Sequence, residues 1–203
     1  MGQTMAELFA EEGANVVLTA RGQDKLDEAV ERIRAKGGNA VGVIADVCST
    51  EDTRKVMDTA LREFGDLDIL INNAGIGEQK MIDETEDDWM RFVMDTNLGG
   101  PMRYIREALK IFLPKNVAMR LVDTNIRCNA VAPGATVTPA HLANKAGEQP
   151  GGAKMLEYSG HYVYFPGPEC DPMDQAYACL YLASKMGRHV KGQVLQVCNG
   201  AFL

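Results

Sequence analysis

Residues 67–75 read LDILINNAG. A short, mostly apolar run ends abruptly in Asn72, Asn73, Ala74 and Gly75. The run suits a buried strand, and the Asn-Ala-Gly exit suits a tight turn. Upstream, residues 50–64 place Val56, Ala60, Leu61 and Phe64 on one helical face and stop at Gly65. Residues 40–45, AVGVIA, are a second strand. Residues 23–36 form a charged amphipathic helix with Leu26, Ala29, Val30 and Ile33 in register, closed by Gly37-Gly38. Residues 15–20, NVVLTA, are a further buried strand. Residues 3–12 form a short helix with Met5, Leu8 and Phe9 on one face, stopped by Gly13. This alternation is the signature of right-handed βαβ units around a parallel sheet. The fold expected is α/β, a doubly wound parallel sheet, in one domain spanning residues 1–203.

Downstream, residues 86–113 are helical in pattern (Trp89, Phe92, Val93, Leu109, Phe112), with a kink or break expected at Gly99-Gly100-Pro101. Residues 125–131, NIRCNAV, read as a strand. The segment 133–172 is rich in Gly and Pro and carries no long element. A loop of that length inside a compact domain is usually functional or mobile. Residues 173–186 read as a helix and 193–197, QVLQV, as a last strand.

Composition narrows the function. Of 203 residues, 46% are apolar and 24% charged, enough to build a core, so global disorder is excluded. Formal net charge is −7 with no basic block, which argues against nucleic acid or an anionic membrane as partner. No run approaches the roughly 18 apolar residues of a membrane helix, and MGQTMAELFAEEGA is not a secretory signal. A cytoplasmic protein is expected. Cys48, Cys128, Cys170, Cys179 and Cys198 show no C-x-x-C spacing, and His141, His161 and His189 are scattered. Neither a disulfide framework nor a metal site is expected.

In a doubly wound sheet the ligand lies at the carboxyl ends of the strands. Those exits carry Arg21, then Asp46-Val47, then Asn72-Asn73-Ala74-Gly75, then Ala132-Pro133-Gly134 with Thr138 close behind. Each is small, polar or turn-forming, which suits a nucleotide across the sheet edge. NNAG after a strand, the preceding Asp-Val, Asn97 in DTNLGG, and IRCNAVAPG with a following Thr occur in the order found in short-chain dehydrogenases/reductases. The chain resembles that family over essentially its whole length. At the C-terminal end the family's usual Asp-Gly-Gly is replaced by Cys198-Asn199-Gly200.

The resemblance implies a Rossmann-like fold that binds a nicotinamide dinucleotide and moves hydride between it and an alcohol or carbonyl. Carried over by position, Asp46 and Val47 lie against the adenine, and Asn73, Ala74 and Gly75 line the adenine ribose. Thr138 contacts the phosphate or carboxamide end, and the backbone of Thr136 the carboxamide. Arg21 stands where an acidic residue would hold the ribose 2′-hydroxyl. A guanidinium favours a 2′-phosphate, hence NADP, with NAD the alternative. Asn97 matches the residue that holds a water in the proton relay.

The same resemblance exposes two gaps. Of the family's T-G-x-x-x-G-x-G phosphate loop only Gly2 has a counterpart, and no first strand precedes it. Between IFLPK (111–115) and NVAMRLVD (116–123), the strand bearing the catalytic Ser and the helix bearing Tyr-x-x-x-Lys have no counterpart. In the family that Tyr donates a proton, the Lys lowers its pKa, and the Ser hydrogen-bonds the substrate oxygen. The family sheet order, 3-2-1-4-5-6-7, thus loses strands 1 and 5, both central. Tyr181 and Lys185 share the Tyr-x-x-x-Lys spacing but lie in the wrong segment and read as structural.

Three alternatives follow: a reductase with a replacement acid from Tyr158, Tyr162, Tyr164 or a partner chain; a non-catalytic relative that binds a dinucleotide or associates with family members; or a truncated or spliced gene product. A substrate, if turned over, would be a small carbonyl or alcohol met by residues 133–172. Homo- or hetero-oligomers are both compatible with the family's subunit contacts.

Overall fold

A computed structural model describes residues 1–77, 85–115, 126–146 and 169–199. The junction at 115–116 with its NVAMRLVD segment, the tyrosines Tyr158, Tyr162 and Tyr164, most of the 133–172 loop, and Gly200 lie outside the described residues. The chain divides into two compact units.

The first unit comprises Gly2–Ile76 and Met94–Arg127. It contains α1 (Gly2–Glu11), β1 (Val16–Ala20), α2 (Gln23–Ala35), β2 (Ala40–Ile44) and α3 (Thr50–Phe64). β1 and β2 pair in parallel, from Val16 opposite Ala40 to Ala20 opposite Ile44. Strand side chains alternate between faces. Val16, Leu18 and Ala40 therefore share one face, where they pack with Ala10 of α1 and Val30 and Ile33 of α2. Val17, Val43 and Ala45 point the other way and pack with Val56 and Met57 of α3 and with Tyr104 and Ala108 further along the chain. Helices thus cover both faces of a parallel pair, as the βαβ reading requires. α3 is delimited by its caps. The Ser49 side chain accepts the Asp52 N–H at 3.1 Å, and Gly65 takes the left-handed conformation at φ 80°.

One expectation in this unit is corrected. Residues 67–71 join no ladder, and β1 has β2 as its one strand neighbour among the described residues. A strand is defined by its partner, and an open cavity separates this run from β1. The kink or break expected at Gly99-Gly100-Pro101 takes the form of a π-helical turn, Asp95–Gly99, which leads into α5 (Gly100–Lys115) and follows α4 (Asp87–Met94), most of which belongs to the second unit. The Gly100 N–H reaches back to Asp95 O. A wider turn just before Pro101 accommodates a residue that has no N–H to donate.

The second unit comprises Gly77–Val93 and Cys128–Leu203, with Met1. β3 (Ala130–Pro133) and β4 (Val194–Val197) pair in parallel, Ala130 opposite Val194 and Pro133 opposite Val197. α6 (Pro139–Lys145) is short. α7 (Pro172–Ala183) begins with a capping box in which Asp171 and Asp174 satisfy each other's backbone N–H groups. The strand expected at 125–131 lies at 130–133 instead. Cys128 O accepts the Gly192 N–H, and Asn129 bonds Val190 O and the Gln193 N–H. Residues 128–129 are therefore tied to the turn before β4 rather than to a ladder. The helix expected to reach 186 ends at Ala183, where the Ser184 hydroxyl caps a 3₁₀ turn by accepting the Met186 N–H.

Candidate dinucleotide-binding site

The first unit gathers most of the sequence-derived site. Gly2 opens α1, and a side chain added there would strike the Asn73 amide at 2.6 Å, so the helix start and the NNAG exit are in close approach. Asn73, Ala74 and Gly75 are exposed beyond the apolar run. Asn97, in the π-turn, clamps that exit from the other side. Its Oδ1 accepts the Ile76 N–H at 2.8 Å and its Nδ2 donates to Ile76 O at 2.7 Å. A two-point amide clamp on the two peptide groups that flank one residue fixes the turn that presents Asn73–Gly75.

Asp46 and Val47 follow β2. The Asp46 N–H donates to Asp52 Oδ2 and its Oδ1 accepts the Cys48 N–H, both at 2.9 Å, which folds the exit back on itself. Val47 rests on Gly100. A Cβ on Gly100 would lie 3.0 Å from Val47 Cβ, so the glycine permits α5 to approach this exit. Arg103 holds the same corner, donating to Asp95 at 2.6 Å and to Val47 O at 3.5 Å. The Arg103 guanidinium beside Asp95 holds its carboxyl below the usual carboxylate range. Burial pushes the neighbouring Cys48 thiol up, so it is no activated nucleophile. Arg21 is exposed beyond β1 and has no ion pair among the described residues.

Thr136 and Thr138 belong to the second unit. Thr136 bridges Cys170: Ala135 O accepts the Cys170 N–H and the Val137 N–H donates to Cys170 O. In that pattern the peptide groups of Thr136 itself point away from Cys170. Its hydroxyl donates to Gly134 O and accepts Gln175 Nε2 at 3.4 Å. Gln175 is 1% exposed and also donates to Val197 O at 3.0 Å, tying the Thr136 turn to β4. Thr138 Oγ1 accepts the His141 N–H at 3.2 Å at the start of α6. His141 Nε2 and Lys145 Nζ both meet Glu169 Oε1, at 2.8 and 2.7 Å, and Lys145 is the larger cause of Glu169's lowered pKa. Tyr181 and Lys185 fall at the end of α7 and in the 3₁₀ turn, and Ser184 bonds the Tyr181 carbonyl.

Sequence reading missed Arg103 and Gln175. Asp95 and Arg103 are eight residues apart, outside the usual helical pairings. Gln175 had a signal, a polar side chain on the apolar face of 173–186, which a buried hydrogen-bonding role explains.

The donor set suits a dinucleotide. The first turn of α1 carries no acidic residue, leaving its free N–H groups and dipole available to an anion. The NNAG turn offers exposed polar groups beside it, and Arg21 offers a cation with no ion pair among the described residues. Within the first unit, Gly2 and Asn73–Gly75 would hold the pyrophosphate and ribose side. When bound, such a cofactor supplies hydride chemistry.

The short chain dehydrogenase model matches residues 1–118, and an enoyl-(acyl carrier protein) reductase model of the same kind matches 112–201. The chain is 31% identical to 3beta-hydroxysteroid dehydrogenase 1 of Eggerthella lenta, covering 100% of this chain and 90% of that one. It is 30% identical to 7alpha-hydroxysteroid dehydrogenase of Escherichia coli K12, covering 98% and 89%. Glucose 1-dehydrogenase 2 of Bacillus subtilis is 29% identical, with 100% and 91% covered. Among solved structures, L-sorbose reductase from Gluconobacter frateurii, complexed with NADPH and L-sorbose, superposes with a TM-score of 0.84 at 24% identity, covering 99% and 92%. A 7 alpha-hydroxysteroid dehydrogenase complexed with NADH and 7-oxo glycochenodeoxycholic acid gives 0.82 at 23%, covering 98% and 89%. The structural likenesses establish the Rossmann-like α/β fold. Together with the strand exits described above, the family models and the sequence relatives show that this chain belongs to the short-chain dehydrogenase/reductase family of NAD(P)-dependent oxidoreductases.

Proposed function

We propose that this chain binds a nicotinamide dinucleotide, NADP in preference to NAD, but lacks the acid machinery to reduce a carbonyl at an enzymatic rate. One observation carries the reading. The two family models meet over residues 112–118, and the strand with its Ser and the Tyr-x-x-x-Lys helix have no counterpart there. The alignment with the Bacillus relative runs over 242 positions against 203 residues here, in keeping with a missing internal block. Removing a positioned general acid typically costs about 10²–10⁴-fold in rate. Asn97 is then the one member of the catalytic set left, and its amide serves the Ile76 clamp. Gly2, Asp46, Val47, Asn73, Ala74 and Gly75 of the first unit keep the cofactor side, Thr136 and Thr138 of the second keep the residue types the family resemblance implies, and binding is weakened relative to a complete site. Arg21 supports NADP because it is exposed beyond β1 and has no ion pair among the described residues.

The chain is further read as one cytoplasmic domain in which 133–172 is the substrate-facing segment for a small carbonyl or alcohol. No helix among the described residues is long and apolar enough to cross a membrane. Association with itself or with family members is supported by an exposed apolar stripe, Met94, Leu98, Met102 and Ile105, between 41% and 62% exposed. Titration with NADPH and NADH, followed by an assay of NADPH oxidation with carbonyl substrates, tests the proposal. Saturable binding without oxidation is expected; oxidation at an enzymatic rate removes it.

A further inference from the structure

The π-turn Asp95–Gly99 of the first unit serves more than the exit that Asn97 clamps. It also meets the exit of β2. The Thr96 hydroxyl, on a residue 6% exposed, lies 3.5 Å from the Cys48 thiol. Arg103, near the start of α5, donates from Nη1 to Val47 O, also at 3.5 Å. At that distance the attraction is mainly that of a full positive charge for a carbonyl dipole. Two strand exits are thus referred to one turn, and Arg103 is the charged group in that arrangement.

Arg103 is held by a pairing that ordinary helix geometry does not supply. Its Nη2 donates to Asp95 Oδ1 at 2.6 Å, with the Arg103 side chain 22% exposed. Eight residues of regular α-helix rise about 12 Å, well beyond the neighbours three or four apart that usually pair. Two local features close the gap. The π-turn is wider and advances less per residue than an α-turn. Gly99, four residues from each partner, puts no side chain between them. A Cβ there would strike Asp95 Oδ1 and come within 3.0 Å of Arg103 Nη1. The spacing Asp95-x-x-x-Gly99-x-x-x-Arg103 therefore lays one charge-assisted pair across a glycine. The planar guanidinium fork then has a second N–H edge for Val47 O.

We propose that Arg103 is a positioning residue for the adenine end of the dinucleotide. Pinned across the π-turn by Asp95, it holds the Val47 carbonyl and so keeps the Asp46–Val47 exit at a set spacing from the Asn73–Gly75 exit that Asn97 holds. It acts through Val47 and needs no contact with the base. The inference rests on the dinucleotide reading, which gives Asp46 and Val47 to the adenine and Asn73–Gly75 to its ribose. Without Arg103 a smaller fraction of molecules has both exits in place, and apparent affinity falls with that fraction. Because Arg103 and Asn97 work through the same turn, their losses are not independent.

The test titrates the full chain with NADPH and with 2′,5′-ADP, its adenosine half, by isothermal calorimetry. Arg103→Met should raise both Kd values by the same factor, about three- to tenfold, which places the effect on the adenosine half. Arg103→Lys keeps the pair with Asp95 but lacks the fork that also reaches Val47 O, so it should recover only part of the loss. Arg103→Met combined with Asn97→Ala should raise Kd by less than the product of the single effects. Hydrogen exchange without ligand should quicken at the Cys48 amide, which bonds Asp46 Oδ1, in Arg103→Met and less so in Arg103→Lys. A pair that only stabilised the fold would lower melting temperature and leave the Kd for 2′,5′-ADP unchanged, and that result overturns the proposal. Should Arg103→Met fail to fold, Arg103→Lys decides, and a Kd equal to that of the unaltered chain overturns it. Binding of neither ligand by the unaltered chain removes the dinucleotide reading and this inference with it. Binding that the Arg103 variants leave unchanged removes this inference alone.

Discussion

Asn97→Ala separates two roles for the residue. In the structure its amide makes both bonds of a clamp on the Ile76 N–H and C=O, at 2.8 and 2.7 Å. Each such bond contributes about 0.5–1.5 kcal/mol net, and an exposed pair falls toward the lower end, so the clamp amounts to about 1–2 kcal/mol. Its loss frees the exit that presents Asn73, Ala74 and Gly75. The fraction of molecules with a binding-competent turn falls, and apparent affinity falls with it. The worked expectation is a dinucleotide Kd raised about 5–30-fold, read by isothermal titration with NADPH. Asn97→Asp keeps the acceptor for the Ile76 N–H and loses the donor, so it should fall between alanine and the unaltered chain. A residue that only held a relay water would leave Kd unchanged. An Asn97→Ala protein with unaltered Kd and unaltered melting temperature would refute the clamp.

Other outcomes follow from the same geometry. Arg21→Glu should weaken NADPH binding by about tenfold, the lower end for a charge-assisted bond at an exposed site, and improve NADH; equal effects on both cofactors would remove Arg21 from the 2′-phosphate. Glu107 is buried at 6% exposure among Lys110, Arg106 and Arg54, and the Lys110 bond is the main cause holding its carboxyl below the ordinary 4.5. Because its folded pKa is depressed, its contribution is complete above that value and is lost as pH falls through the lowered one. Melting temperature followed downward from neutral pH should therefore drop below about 4.5, and Glu107→Gln should flatten that drop; identical profiles would contradict it. Leu98→Glu with Met102→Glu should reduce solution mass, by light scattering, if the exposed stripe carries subunit contact, and an unchanged mass would exclude it.

Much of this molecule was legible before any coordinates. Apolar periodicity located α1, α2, α3, β1 and β2 to within a residue or two, because each has a face that packs and a glycine or cap that stops it. The strand exits were legible for the same reason: Asn73, Gly75, Asp46 and Val47 follow recognisable strands. What periodicity could not show was pairing. LDILI has the composition of a strand, but a strand needs a neighbour, and residues 67–71 join no ladder among the described residues. NIRCNAV likewise slid by several residues, because Asn129 and Cys128 are held by the turn at 190–193. Gly99-Gly100-Pro101 reads as a kink or break because Gly and Pro usually end helices. It takes the form of a π-turn that absorbs the proline, and Gly100 lets α5 approach Val47. Arg103 and Gln175 act on backbone atoms distant in sequence, a relation no local pattern encodes.

The central claim is a retained cofactor half without the acid half. Single-turnover NADPH oxidation, at enzyme in excess over a panel of small ketones and aldehydes, tests it most directly beside an equilibrium NADPH titration on the same sample. The account predicts saturable NADPH binding and hydride transfer indistinguishable from buffer. Turnover in the ordinary enzymatic range of about 1–10³ s⁻¹ would contradict it, as would the absence of any NADPH binding.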